Sequence, residues 1–393
     1  MFYYLHEFAK TVWGPLRLFE YQSFRAVAAG TLALMAGFVL APTLINRLGR
    51  LTQPERSKDI MDGIAKTGGK VPTMGGLIIF IPALLSAFLW VRPSVPAVAA
   101  LIVWLGMSAV GFVDDYMKVV SKKPDGLSAL GKTIGQFASA GAGIGLLLAV
   151  PATRAQAIEV WVPFAKHAVL SADMLPLWAG AAVAVVFFLI VTWSASNAVN
   201  LTDGIDGLSV GCVITTLLSF GLIAYLAGHK NFADYLKISR VEGAGELTVL
   251  TAAILGGCMA FMWHNAKPAE IYMGDLGALG LGGFIGALAF IINQPFLLVI
   301  VGGVFVAEFA SAIAQRLLFK FTKTQGPDGK PAGMRIFKKT PLHHHFQMDA
   351  APESKPAWLK WPNGRWADEK IVVRFWMISL LCGILGLATL KLR

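Results

Sequence analysis

Apolar runs of about 20 residues recur along this chain, each long enough to cross a bilayer core as a helix. Ten can be marked, at 24–46, 72–91, 97–113, 133–150, 175–193, 207–227, 246–264, 276–292, 296–319 and 371–390. They predict an all-α polytopic membrane protein, read as one integral-membrane domain over residues 1–393. The runs 276–292 and 296–319 are separated only by Asn293-Gln294-Pro295, just enough for a tight turn. Residues 1–21 are aromatic and mixed in charge, and the run after them is longer than a signal-peptide core, so they read as a retained interfacial segment.

Composition agrees with that class. Hydrophobic residues make up 56% of the chain and charged ones 15%, mean hydropathy is +0.63, and both exceed what a soluble domain carries. The 34 Lys and Arg against 23 acids would suggest nucleic acid in a soluble protein. In a membrane protein their distribution over loops matters more, and no nucleic-acid partner is expected. Loops 47–71, 114–132, 194–206, 265–275 and 320–370 hold 21 Lys and Arg, the remaining loops and ends 10. The first set is therefore expected in the cytoplasm and both termini in the periplasm. Without the long loop 320–370 the difference is 11 against 10, so the orientation then rests on 47–71 and 114–132. Cys212, Cys258 and Cys382 lie in apolar runs with no C-x-x-C spacing and read as small core residues.

The acids change the picture most. Asp114, Asp115, Asp203, Asp206 and Asp275 all fall at or beside span ends on one predicted side. Asn197-Ala-Val-Asn200-Leu-Thr-Asp203-Gly-Ile-Asp206-Gly-Leu208 sets two carboxylates too close together to be tolerated without a cation or a proton. Taken alone, that pair reads more readily as a helix-capping device. Asp114 and Asp115 are adjacent, so on a helix they diverge by about 100° and share a ligand only if the helix ends there or a metal lies between them. Negative charge is disfavoured at a helix C-terminus, so a cation is expected nearby: Lys118, Lys122, Lys123, Lys132 or a divalent ion. Asp275, between Gly274 and Gly277, is either a plain N-cap or a third carboxylate of a hard oxygen site. Together the acids favour Mg²⁺ and a phosphorylated substrate.

Two further motifs bear on this. Pro341-Leu-His343-His344-His345 has no zinc-ligand spacing, and nearby Arg335, Lys338 and Lys339 favour contact with an anion. Lys66-Thr-Gly-Gly-Lys70-Val-Pro-Thr73-Met-Gly75-Gly76 is not a Walker sequence; a phosphate cradle and a flexible segment making a small-residue helix contact are equally open.

Taken in order, Pro72-Thr-Met-Gly-Gly76, Asp114-Asp115-x-x-Lys118, Gly126-Leu127 through Lys132 and Gln136, Asn197 through Leu208, Met273-Gly-Asp275, and Arg335-Ile-Phe337 leading to His345 resemble the polyprenyl-phosphate N-acetylhexosamine-1-phosphate transferase superfamily. The His-His-His form is similar to its phospho-N-acetylmuramoyl-pentapeptide branch. The resemblance implies transfer of phospho-MurNAc-pentapeptide from UDP-MurNAc-pentapeptide to undecaprenyl phosphate, giving lipid I and UMP, with Mg²⁺, at the cytoplasmic face of the bacterial inner membrane. It further implies that Asp114, Asp115, Asp275 and His343 are catalytic, with Asp275, Asp115 and Asp203 as metal ligands. Lys70, Lys132, Asn197, Asn200, Asp203, Asp206, Asn265, Tyr272, His344 and His345 would bind substrate, Tyr272 against uracil. Membrane lipid and a second copy in a homodimer are the other implied partners. Lys66 and Lys70 share one expected role, because the lysine register before Pro72 departs from the family pattern. The last cytoplasmic loop is also extended at 324–333 and 348–368. The rival from another class, a transporter, would place its acids near mid-span and show a repeat between halves.

Overall fold

Every apolar run forms helix in the computed structural model, which describes residues 14–51, 71–123, 125–325, 331–349 and 357–392 together with positions 1, 2 and 4. The helices are α1 Gln22–Leu51, α2 Gly76–Trp90, α3 Val95–Val119, α4 Ala129–Ala149, α5 Pro151–Ile158, α6 Leu177–Thr202 and α7 Leu208–Gly228. They continue with α8 Lys230–Leu236, α9 Ala244–Asn265, α10 Gly274–Ile291, α11 Leu298–Val301, α12 Gly303–Phe321, α13 Leu342–Gln347 and α14 Asp368–Thr389. Among the described residues seven helices are long and apolar enough to span a membrane, or eight if α4 and α5, bent by 116°, are one span. Seven or eight therefore meet that test of length and composition, of the ten apolar runs marked in the sequence. Helix α2 has only 15 residues. The run 296–319 breaks at Gly302 into α11 and α12, and α12 carries Glu308, Arg316 and Lys320.

Helix α10 is the centre of the bundle, and every residue from Leu276 to Ile291 is buried. A helix apolar on all sides belongs in a core. Apolar tails give no hydrophobic drive for helix association in lipid, so close packing through small residues carries it. An added Cβ at Gly282 would stand 2.5 Å from the Ala195 carbonyl oxygen, and one at Gly286 would stand 2.8 Å from Thr192 Cα, so α6 lies directly on α10. Gly76 makes the same approach from α2, where its Cβ would stand 2.5 Å from the Gly277 nitrogen. Gly111 brings α3 onto the first residues of α10, against the Asp275 carbonyl.

At one end of the bundle Arg25 and Glu246, both buried, pair at 2.7 and 2.5 Å, and the Arg92 backbone N–H donates to the same carboxylate at 2.8 Å. The Met1 amine reaches the Leu89 carbonyl near this end, and Lys391 lies over the Tyr235 ring there. The loops bearing the aspartates are at the other end. There α12 leads through a short antiparallel pair, Thr324–Gln325 with Pro331–Ala332, to α13. A cluster of rings holds this region to α14: Phe346 stacks on Trp366 at 4.5 Å, and the Arg374 guanidinium lies 4.2 Å from the Trp366 ring centre.

Candidate active site

The Gly111 contact decides the geometry of the site. With α3 touching the start of α10, Asp115, one turn further on, accepts the Leu276 backbone N–H at 3.0 Å and so caps α10 from a neighbouring helix. Gly274, at φ +77°, places the backbone where any side chain would meet this carboxylate: its Cβ would be 2.6 Å from Asp115 Oδ2. Asp114 points elsewhere. Its Oδ1 accepts the Leu127 backbone N–H at 2.7 Å, and its Oδ2 pairs with Lys118 at 2.5 Å and Lys132 at 3.0 Å. The two lysines also reach Asp275 Oδ2, at 3.4 and 2.6 Å, while Asn200 Nδ2 donates to Asp275 Oδ1 at 2.8 Å.

Asp114, Asp115 and Asp275 therefore bring carboxylate oxygens within 4.8 Å of one another. The two adjacent carboxylates diverge on the continuous helix, and they share this centre because α10 and Lys132 come to meet them from different sides. Of the four candidate cations, Lys118 and Lys132 are present in it, whereas Lys122 and Lys123 are exposed. Three hard oxygen donors converge there, and their three charges exceed those of the two ammonium groups, so the set could hold a small divalent cation.

Several expectations need correction. Asp275 does not cap its own helix; no side-chain cap bond is present at the α10 N-terminus, and both its oxygens face the lysines and Asn200. Asp203 and Asp206 do not cap α7, whose N-cap is Gly207 at φ +76° without a side-chain bond. Asp206 instead accepts the Ala269 backbone N–H at 3.3 Å. Asp203 lies outside the 4.8 Å group, where Asp114 takes the place expected for it. Burial, then the negative charges of Asp275, Asp115 and Asp206, push its carboxyl up to about 7.

Asn265, expected in the substrate pocket, is a buried tie. Its Oδ1 accepts the Gly207 N–H at 2.9 Å and its Nδ2 donates to the Ile271 carbonyl at 2.8 Å, so it fixes the Asp203–Gly207 loop to the segment before Asp275. Asn197 Nδ2 donates to the Trp193 carbonyl within its own helix at 2.8 Å and to Gln136 Oε1 at 3.4 Å. Tyr272 and Met273 hold the 72–76 segment by main-chain bonds: Tyr272 N–H donates to Pro72 O, Gly75 N–H to Tyr272 O and Gly76 N–H to Met273 O, each at 2.8 Å. Of the two readings of that segment, the small-residue helix contact is therefore present. Lys66 and Lys70 lie outside the described residues.

The histidines lie on a six-residue helix, and they separate in role. His345 is fully committed: Nδ1 accepts the Lys338 backbone N–H at 3.1 Å and Nε2–H donates to the Trp361 carbonyl at 2.7 Å. Burial lowers its pKa, which keeps it in the neutral form those bonds require. Both ring nitrogens thus hold the loop around the histidines together. His344 Nδ1 bonds Gln347, which reaches Asp368 and through it Lys267. His343 is buried against Gly204, the neighbour of Asp203. Its backbone N–H and Nδ1 meet the two oxygens of buried Glu308 at 3.0 and 3.1 Å, and its Nε2 is buried without a hydrogen-bond partner among the described residues. Glu308 is the residue that sequence reasoning missed. The available signal was one acid inside the otherwise apolar stretch 296–312.

Comparison with known proteins follows this geometry. Residues 97–293, which include both aspartate pairs and Asp275, match the family model for glycosyl transferase family 4. The chain is 43% identical over 386 residues to the phospho-N-acetylmuramoyl-pentapeptide-transferase of Opitutus terrae, covering 97% of each sequence. It is 40% identical over 395 residues to that of Solidesulfovibrio magneticus, covering 100% of each, and 39% identical over 390 residues to that of Gemmatimonas aurantiaca, covering 96% of each.

Proposed function

Because the chain belongs to glycosyl transferase family 4 and, within it, to the phospho-N-acetylmuramoyl-pentapeptide transferases, we infer that it moves phospho-MurNAc-pentapeptide from a UDP carrier to undecaprenyl phosphate, releasing UMP and leaving lipid I in the membrane. The convergence of Asp114, Asp115 and Asp275 with Lys118 and Lys132 at one end of the bundle supports this reading most strongly. One substrate is a soluble nucleotide and the other cannot leave the bilayer, so their phosphates meet at a membrane face. The excess of Lys and Arg in the loops on that side supports a cytoplasmic position for this face, with both termini in the periplasm, in a bacterial inner membrane.

In this reading a phosphate oxygen of the acceptor attacks the β-phosphorus in line. The bond from that phosphorus to the bridging oxygen breaks, and its electron pair leaves on UMP. Lys118 and Lys132 stand where negative charge accumulates, positioned by Asp114. Asp114 acts by positioning rather than as a base, since one of its oxygens holds Leu127 N–H and the other holds both lysines. The acceptor phosphate needs little deprotonation, because its second pKa is about 6. Asp115 and Asp275, with Asp114, would hold Mg²⁺, which when bound neutralises charge on the diphosphate. Asn200 orients Asp275, and His343 Nε2 faces the loop of Asp203 from its seat on Glu308.

The test uses the purified chain, UDP-MurNAc-pentapeptide and undecaprenyl phosphate with and without Mg²⁺. Release of UMP and formation of lipid I only with the metal are expected. An absence of UMP release under all conditions would overturn the assignment. Labelled UMP exchanging into the nucleotide without acceptor would replace the single displacement with a covalent intermediate.

A further inference from the structure

A basic cavity lies between α12 and the loop that leads to His343. Glu308 and Gln315 are seven residues apart on α12, so they share a face and stand roughly 10 Å apart along the axis. The loop leading to His343 runs antiparallel along that face. His343 N–H donates to Glu308 Oε1, and the backbone N–H groups of Ile336 and Phe337 donate to Gln315 Oε1 at 2.9 and 3.1 Å. Between helix and loop is a cavity of about 360 Å³. Arg316, Arg335 and Lys339 line it, with Phe319 and Phe337 as apolar walls, and among the described residues no acid lines it. Arg316 and Arg335 form no ion pair with any acid among the described residues. Cations gathered around one space repel each other unless an anion enters, and the volume falls in the range of small-ligand pockets.

We propose that this cavity binds the carboxylate-bearing peptide arm of the nucleotide substrate, an inference that rests on the function proposed above. The two reacting phosphates are needed at the aspartates, and none of these lines the cavity, which lies about 10 Å along α12 beyond the Glu308–His343 contact. The remaining anionic group of the substrates is the peptide carboxylate. Five extended residues span about 17 Å, more than the roughly 10 Å that separates Glu308 from Gln315 along α12. The guanidinium fork suits a carboxylate, and the two phenylalanine rings suit the chain that carries it.

The experiment measures dissociation constants of UDP-MurNAc-pentapeptide and of UDP-MurNAc without peptide for the purified full chain. The R316Q/R335Q double variant is expected to weaken the peptide-bearing nucleotide about tenfold or more. Binding of UDP-MurNAc and the KM for undecaprenyl phosphate should stay within about twofold. On the unmodified protein, esterifying the peptide carboxylates should weaken binding to the same degree, which tests the idea even if the variant does not fold. Equal wild-type affinity for the two nucleotides would overturn the proposal. So would an equal loss for both in the variant, or an effect confined to the acceptor, which would mark a lipid phosphate site. If the wild-type chain bound both nucleotides yet released no UMP, the assigned reaction would fail and the peptide site would stand.

Discussion

Gly111→Ala isolates the helix contact on which the candidate site depends. The added Cβ would stand 2.6 Å from the Leu276 nitrogen and nearer still to the Asp275 carbonyl, whereas ordinary contact begins at 3.4 Å. Helices α3 and α10 must therefore open by at least 0.8 Å, the difference between 3.4 and 2.6 Å. That movement separates Asp115 from the Leu276 N–H it accepts and widens the group of three carboxylates. Misplacement of this size at a reacting centre costs roughly 100-fold in rate, or about 2.7 kcal/mol of transition-state stabilisation. Overpacking adds about 1–3 kcal/mol of lost stability. Turnover is read as UMP release, and folding as the thermal midpoint in detergent. Gly141→Ala is the control: a Cβ at Gly141 meets nothing within 4 Å, so turnover should be unchanged and the helix gains up to about 1 kcal/mol. Wild-type turnover by G111A, with the G141A control also active, would refute the idea that this contact sets the site.

Glu308→Gln keeps the bond to the His343 backbone N–H but replaces the carboxylate oxygen beside Nδ1 with an amide, so kcat should fall about 10–100-fold with little change in thermal midpoint. Wild-type kcat in this variant would leave Glu308 a purely structural role. Asn265→Ala removes the tie between Gly207 N–H and Ile271 O and should lower stability by about 1–3 kcal/mol, read by thermal denaturation. If instead it raised only the KM for the nucleotide, with no loss of stability, Asn265 would return to the substrate pocket.

Much of this was legible because hydropathy fixes span ends, and the five aspartates fall at those ends on one side. The i, i+4 spacing of Asp114 and Lys118 likewise predicts an ion pair, which is present at 2.5 Å. Contacts between distant segments were harder to read. That Asp114 and Asp115 share one centre was hidden because the approach of α10, permitted by Gly111, is set by packing rather than local spacing. The capping readings of Asp203, Asp206 and Asp275 failed for a related reason. Glycines with positive φ begin two of those turns, leaving the carboxylates to meet lysines and backbone from other segments. Glu308 escaped notice because its value lies in meeting His343, 35 residues later, across a loop of variable length. His345 and Asn265 have the polar chemistry of ligands, and only their hydrogen bonds to distant main-chain groups reveal that they also tie segments together.

The central claim is that carboxylates from α3 and α10 form one cation site among the lysines. Titration of the purified chain with Mn²⁺, followed by electron paramagnetic resonance, tests it without relying on turnover. One tightly bound ion per chain is expected in the wild type, with affinity weakened at least about tenfold in both Asp115→Asn and Asp275→Asn. Wild-type affinity in either folded variant would contradict the shared site.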